Sequence, residues 1–358
     1  MSNVWILSFK YAPGLMKEIL CLEHCFKNES FNVKLVLNPG YQVLGLSSPE
    51  LDADRTTYLD SLDDGYGLVK KLISTQPKIL FFYNSHPFNF LFMLLALVFC
   101  RNSRRVLVLH EPNKKNVFKN FGFHGLVVSL ITLFNKLQSW VCSDLVVLSP
   151  YGAELLQESV GYNRFCRVHQ GRILLPPIVL EDNNEAAHVS FIGNINSTKG
   201  VDWFLDLVEH ASSVGSELKF AIVSVSKLSE RVAERVREQS GTLALFNPNV
   251  LSDADISHWL LKSSAVFSLH KSVTQSGVFV ECVRHGVPAI VLNEVGFTQF
   301  INNCGISVSG SSDLQELLSA IEFVMSKDSH LKESIKDVYD KNFNPCNFKL
   351  FYSDLIAY

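Results

Sequence analysis

The stretch "HVSFIGNINSTKGVDWFLDLVEH", His188 to His210, reads as a β-strand, a glycine-bearing turn and a helix opening near Val201. A strand that turns through Gly193 and Gly200 into a helix leaves backbone N–H groups free at the positive end of the helix dipole. Such a turn favours an anion, and Lys199 adds a full positive charge to it. A diphosphate fits this chemistry. An ordinary strand-to-helix turn carrying an exposed lysine fits the segment by itself equally well.

The same unit repeats along the chain. In the first half, "VWILSF", "VKLVLN", "KILFFYN", "RVLVLHE" and "DLVVLS" read as strands, with helical segments near 14–27, 66–76, 88–100, 124–141 and 153–160. In the second half, "HVSFIG", "KFAIVSV", "LALFNP", "SAVFSLH" and "PAIVLN" alternate with helices near 200–213, 229–240, 252–262, 277–285 and 312–325. Strands alternating with helices of this length predict an α/β chain built from parallel, doubly wound sheets. The stretch "GRILLPPIVLEDNNEAAH", Gly171 to His188, breaks the pattern with Pro176, Pro177 and a polar run. The expected division is a first domain over 1–172, a second over 173–340, and a tail helix over 341–358 that returns to the first. Ligands of such sheets gather beyond the carboxyl ends of the strands, and the cleft between the domains is the expected site.

Composition narrows the function classes. The chain has 358 residues, 47% of them hydrophobic, and a net charge of −3, which argues against a nucleic-acid binder that works by phosphate neutralisation. The charge is divided unevenly. Through residue 175, eighteen Lys and Arg face thirteen Asp and Glu, giving +5, and the remainder carries −8. A basic first half suits an anionic surface. The eight cysteines show no CxxC pair, and no His cluster stands at metal-ligand spacing, so neither a zinc site nor a disulfide framework is expected. A reducing cytoplasm fits, and "MSNVWILSFKYAPG" reads as a first strand and not as a signal peptide. "FNFLFMLLALVFC", Phe88 to Cys100, is too short to span a bilayer and is expected mostly in the core. "KKNVFKNFGFHGLVVSLITLFNKL", Lys114 to Leu137, divides evenly between a core helix and one lying on an anionic membrane.

A second motif follows three strands later. In "HKSVTQSGVFVECVRHGVPAIV", His270 to Val291, Ser276 and Gly277 open a helix and present further N–H donors. Glu281 falls one helical turn in, on the side of the helix start. A carboxylate there can accept both hydrogen bonds of a ribose diol, or simply favour the helix dipole.

Together, Gly193–x₅–Lys199–Gly200, then Ser276–Gly277–x₃–Glu281–x₄–Gly286–x–Pro288, then "NEVGFTQFI" and the tail "NFNPCNFKLFYSDLIA", resemble the donor-binding half of GT-B fold glycosyltransferases and are most similar to the retaining family four. The resemblance spans nearly the whole chain. It implies two Rossmann-like domains and transfer of a sugar from a nucleotide sugar, UDP- or GDP-linked, to a glycan or lipid-linked acceptor in bacterial surface polysaccharide synthesis. It further implies a hexosyltransferase that needs no cofactor and no metal and works in the cytoplasm, with peripheral contact to an anionic inner membrane. Carried onto this chain, Lys199 meets the donor diphosphate, Glu281 the ribose, and the backbone of Gly193, Asn194, Ser276 and Gly277 the phosphates and sugar. Gly14 in "YAPGLMKEIL" matches the first-loop glycine, and His110 in "VLVLHEP" the active-site histidine beside the transferred sugar. A strand-end histidine read alone is more often a structural hydrogen-bonder. Phe246 and Pro248 in "LALFNPNVLS" line the expected base pocket.

Two departures stand out. The family's phosphate-binding arginine is Asn194 here, and the first glutamate of its Glu–x₇–Glu motif falls on Val273, or on Thr274 or Gln275 with a shorter loop. Lys271, Gln275 and Arg284 are the candidates to compensate. Two Asp-x-Asp strings, Asp52–Asp54 and Asp253–Asp255, would suit a metal-dependent transferase of the GT-A type, but the first lies in a polar loop and Asp253 reads as a helix cap. Two other functions fit the same fold: a nucleotide-sugar epimerase, and a catalytically silent scaffold that binds partners or glycan.

Overall fold

In the computed structural model the described residues are 2–10, 13–42, 55–59, 62–110, 133–158, 166–178, 187–195, 199–269, 276–293, 298–301, 303–309, 313–326 and 328–356. The chain forms two compact units, Met1–Leu175 together with Pro345–Tyr358, and Pro176–Asn344. The crossings lie a few residues beyond the expected 172 and 340. Ile173, Leu174 and Leu175 are buried and belong with the first unit, and the last helix of the second runs on to Asn342.

The first unit holds strands β1 (Asn3–Ser8), β2 (Asn32–Leu37), β3 (Thr56–Tyr58), β4 (Ile79–Tyr83), β5 (Arg104–Leu109), β6 (Asp144–Val147) and β7 (Arg167–Gln170). They form one parallel sheet in the order β3-β2-β1-β4-β5-β6-β7. The connecting helices are α1 (Met16–Asn28), α2 (Leu62–Thr75), α3 (Pro87–Phe99), α4 (described over 133–141) and α5 (Pro150–Glu158). Strands β1, β4 and β5 are buried nearly throughout, which is why they read as continuous apolar runs with no polar alternation.

The second unit repeats the plan. Its strands β8 (His188–Ile192), β9 (Lys219–Val223), β10 (Leu243–Phe246), β11 (Ser263–Ser268), β12 (Ala289–Leu292) and β13 (Gly305–Val308) lie parallel in the order β10-β9-β8-β11-β12-β13. Its helices are α6 (Val201–Ser213), α7 (Glu230–Glu238), α8 (Asp253–Leu261), α9 (Gly277–Arg284), α10 (Thr298–Ile301), α11 (Leu314–Ser326) and α12 (Asp328–Asn342). Phe204 of α6 is fully buried, its ring 5.2 to 5.9 Å from those of Phe191, Phe220 and Phe267 on the sheet. Burial of each such ring stabilises the unit by about 1.5–3 kcal/mol. In both sheets the strand order reverses next to the first strand, at β1/β4 and at β8/β11. Loops leaving the two strands at such a switch run to opposite faces and open a crevice at their carboxyl ends.

The tail helix α13 (Phe348–Ile356) packs on the first unit. The Phe348 ring lies 5.1 Å from that of Phe26 on α1, and the Tyr352 hydroxyl donates to the Arg172 carbonyl at 2.8 Å. At the amino ends of β5 to β7, fully buried Asp144 accepts from Arg104 Nη2 at 2.6 Å and Nε at 3.1 Å, and from Ser143 Oγ at 2.8 Å. His169 Nε2 stands 2.8 Å from it and Arg167 Nε 3.1 Å. Burial works to raise the Asp144 carboxyl, and the hydrogen bonds from His169, Arg104 and Ser143 outweigh it and hold the group well below the usual carboxylate range.

Two expectations are corrected. Helix α3 is not mostly core: Asn89, Phe92, Met93 and Ala96 are buried, whereas Phe88, Leu91, Leu94, Leu97, Val98 and Phe99 are exposed. One face of the helix meets the sheet, and its other face is equally apolar, so hydropathy alone could not tell them apart. At the second Asp-x-Asp string the cap is Ser252 and not Asp253. Ser252 Oγ accepts from the Asp255 amide and the Asp255 carboxylate accepts from the Ser252 amide, a reciprocal capping box. The first string, Asp52 and Asp54, lies outside the described residues, as do residues 114–132 of the second apolar segment.

Candidate functional site

In the second unit, strand β8 ends at Ile192 and the chain turns through Gly193 at φ +120°, a conformation L side chains rarely adopt. The turn places the Lys199 ammonium beside it. A Cβ built on Gly193 would stand 3.6 Å from Lys199 Nζ and 3.6 Å from Val278 Cγ2, in the first turn of α9. The Gly193 turn, the Lys199 charge and the amino end of α9 therefore meet at the β8/β11 switch point. Gly200 makes this approach possible. At φ +76° it starts α6, and a Cβ there would lie only 2.8 Å from the Leu269 carbonyl, at the end of β11. Ser276 caps α9, its Oγ accepting from the Phe279 amide at 3.3 Å, and Gly277 is exposed with open space about it. Helix geometry aims the amides of the first turn out of the helix end. Cation, amides and dipole together make an anion cradle.

Glu281 lies one turn into α9 and is buried, with its carboxylate already oriented. Arg284 Nη1 donates to Oε2 at 3.1 Å, and His285 Nδ1 stands 3.6 Å from the same oxygen. Arg284 Nε also donates to the Pro176 carbonyl at 2.6 Å, and His285 Nε2 lies 2.9 Å from Ser257 Oγ. This corrects the expectation that Arg284 replaces the missing phosphate-binding arginine. It sits at the far end of α9 from the cradle, about 10 Å along the axis at about 1.5 Å per residue, and it holds Glu281 instead. Asn194 is exposed on the Gly193 turn. The Phe246 ring is half-buried and packs 5.8 Å from that of Trp259 on α8, so part of its surface serves the fold; Pro248, two residues on, is also half-buried. Lys271, Val273, Thr274 and Gln275 lie outside the described residues.

In the first unit, Gly14 is exposed in a short 3₁₀ turn, Pro13–Leu15, that leads into α1 at the β1 side of the switch. His110 follows β5, its ring 6.1 Å from that of Tyr83 at the end of β4. Its Nε2 points inward, 3.6 Å from Oε2 of Glu18 on α1. Glu18 is 3% exposed, and burial pushes its carboxyl up to about 8, opposed by the nearby Tyr83 phenol. Burial, and then the charge of Lys10, pushes the His110 imidazole down to about 4. Both groups are thus uncharged at neutral pH, which is how a dry pocket tolerates them.

The pair makes stability depend on pH in a defined direction. The contribution of His110 is full above its unfolded value of 6.5 and is lost as pH falls toward about 4. That of Glu18 is full below its unfolded value of 4.5 and is lost as pH rises toward about 8. Between the two unfolded values the slopes oppose. Above pH 6.5 only the Glu18 slope remains, at most about 1.4 kcal/mol per pH unit. Urea unfolding should therefore show wild-type stability falling from pH 6.5 to 8 relative to Glu18→Gln, and parallel profiles for the two proteins would refute the assignment.

No family model matches the chain, and no curated protein matches it in sequence. Its structure does match solved ones. HepE of Anabaena, in complex with UDP, aligns with a TM-score of 0.74 at 11% identity over 100% of both chains. Sucrose-phosphate synthase of Thermosynechococcus elongatus aligns with a TM-score of 0.71 at 12% identity over 100% of both. A variant of S. aureus TarM, in complex with fondaparinux, α-GlcNAc-glycerol and UDP, aligns with a TM-score of 0.71 at 9% identity over 99% of both. The fold is GT-B.

In a GT-B chain the two sheets each offer a switch-point crevice, and the residues described above stand at both of them. Sequence reasoning missed Glu18, Tyr83 and the Arg284–Glu281 pair. For the last a signal existed, since an acid and an arginine three residues apart on one helix are neighbours. Nothing local marks Glu18, because its partners reach it from other strands.

Proposed function

We propose that this protein is a glycosyltransferase that moves a sugar from a nucleotide sugar, UDP- or GDP-linked, to a glycan or lipid-linked acceptor. The observation that carries the reading is the meeting of the Gly193 turn, Lys199 Nζ and the first turn of α9 at the β8/β11 switch. A diphosphate seated there has its charge met by the ammonium and the helix amides, and the same contacts strengthen as it departs. Glu281, held by Arg284 and buried one turn inward, takes the ribose hydroxyls. The binding of UDP by structurally similar proteins, HepE and TarM, favours this reading. Retention of configuration, transfer of a hexose without a metal, and the affinity for family four rest on the motif resemblance. So does a place in bacterial surface polysaccharide synthesis.

The proposed setting is the cytoplasmic face of an anionic membrane. Its support is the exposed apolar face of α3, Phe88, Leu91, Leu94, Val98 and Phe99, with Arg101 just beyond it in a unit of net positive charge. No helix among the described residues is long and apolar enough to cross a membrane. Flotation with anionic liposomes should carry the protein upward, and Leu91→Asp with Val98→Asp should stop it; flotation unaffected by the pair would remove α3 from the account.

A panel of nucleotide sugars incubated with the protein tests the reaction. Slow hydrolysis of one donor, accelerated by a glycan acceptor, is the expected result. Donor consumption that yields an isomer with no acceptor would point to an epimerase, and no turnover of any donor to a silent scaffold. Glu281→Ala should weaken nucleoside diphosphate binding by about tenfold or more and leave inorganic diphosphate binding nearly unchanged, since only the former carries a ribose.

A further inference from the structure

We propose that Glu18 is the positioning residue of His110, its carboxyl fixing the imidazole as the tautomer that carries its proton on Nδ1. The inference rests on the proposed reaction only for its catalytic consequence. Its structural content stands on the first unit alone.

The geometry is that of a closed pair. Glu18 Oε2 and His110 Nε2 are 3.6 Å apart, with the two side chains 4% and 17% exposed, so water does not separate them. A small rotation closes that distance to a hydrogen bond, as happens when sites tighten around their substrates. The carboxyl also faces the Tyr83 phenol, which burial keeps protonated. Among the described residues, Cys21 on α1, Tyr352 on α13 and Lys10 beyond β1 are the further titratable groups that act on the pair and Tyr83. Of these only Lys10 brings a positive charge, and it acts against an imidazolium.

A dry pocket decides which form the pair takes. A carboxylate facing an imidazolium would place two charges out of water, and burial pushes each group toward its uncharged form instead. A protonated carboxyl has one O–H to give, and the nitrogen facing it is Nε2. An Nε2 that accepts leaves the ring proton on Nδ1. A ring protonated on Nδ1 carries a donor on that nitrogen, and a neutral ring of this kind sets no positive charge beside an electron-poor anomeric carbon.

Long-range ¹H–¹⁵N spectra of the full-length protein labelled with ¹⁵N-histidine test this, the His110 signals being assigned with His110→Asn. Wild type should show a neutral ring protonated on Nδ1 from pH 5.5 to 7, below the range in which the Glu18 carboxyl ionises. Glu18→Gln should keep that tautomer, because its amide also donates to Nε2. Glu18→Leu should release it toward the Nε2-protonated form. A wild-type ring that is charged at pH 7 or protonated on Nε2 overturns the proposal, and this needs no variant to fold. An unchanged tautomer in folded Glu18→Leu overturns it as well. With a working donor, Glu18→Leu should lower kcat by about tenfold or more at nearly constant KM, and Glu18→Gln should stay within about threefold of wild type. If no donor turns over, the reading of the reaction fails while the spectra still decide the pair.

Discussion

Lys199→Ala should reduce affinity for a nucleoside diphosphate by about 10- to 100-fold and the rate of donor cleavage by about 10²- to 10³-fold. Among the described residues the ammonium is the charge placed at the Gly193 turn beside the first turn of α9, and a diphosphate held there without it loses that charge and keeps the helix amides. The rate suffers more than the affinity because charge on the leaving diphosphate grows as the glycosidic bond breaks. Lys199→Arg is not a conservative change in so confined a turn and should recover little. Calorimetry gives the affinity and donor hydrolysis the rate. Lys199→Ala with both unchanged would move the anion elsewhere and dissolve the proposed site.

Asp144→Ala should destabilise the first unit by about 3–5 kcal/mol. The carboxylate is fully buried and holds Arg104, which is itself 7% exposed, through two hydrogen bonds. Its removal takes both carboxylate hydrogen bonds from that buried guanidinium, while the bond from Arg104 Nη1 to the Asp354 carbonyl of α13, at 2.5 Å, stays. The same loss loosens Arg167 and His169 on β7. Replacing both partners by apolar residues, Arg104→Met with Asp144→Leu, should recover much of the deficit, since the penalty is that of an unpaired buried charge. Urea unfolding measures both variants, and a single mutant within about 1 kcal/mol of wild type would show that the network contributes little.

The central strands were legible because a strand buried on both faces is a continuous apolar run, and β1, β4, β8 and β11 are all of this kind. The three strands that were not anticipated, Thr56–Tyr58, Arg167–Gln170 and Gly305–Val308, are each at the edge of a sheet. An edge strand has one neighbour and half the burial, so a polar run such as Arg-Val-His-Gln is held by its partner and not by its own propensity. The same division runs through the site. Gly193 and Lys199 were readable because one short turn carries both. Glu18 and His110 were not paired in advance, because α1 and β5 meet only once the sheet has formed.

The most direct measurement of the central claim is calorimetric titration of the wild-type protein with UDP, GDP and ADP. The account expects one of the uracil or guanine nucleotides to bind with a Kd below about 1 mM and that binding to fall in Lys199→Ala. Absence of binding by all three at millimolar concentration would contradict it.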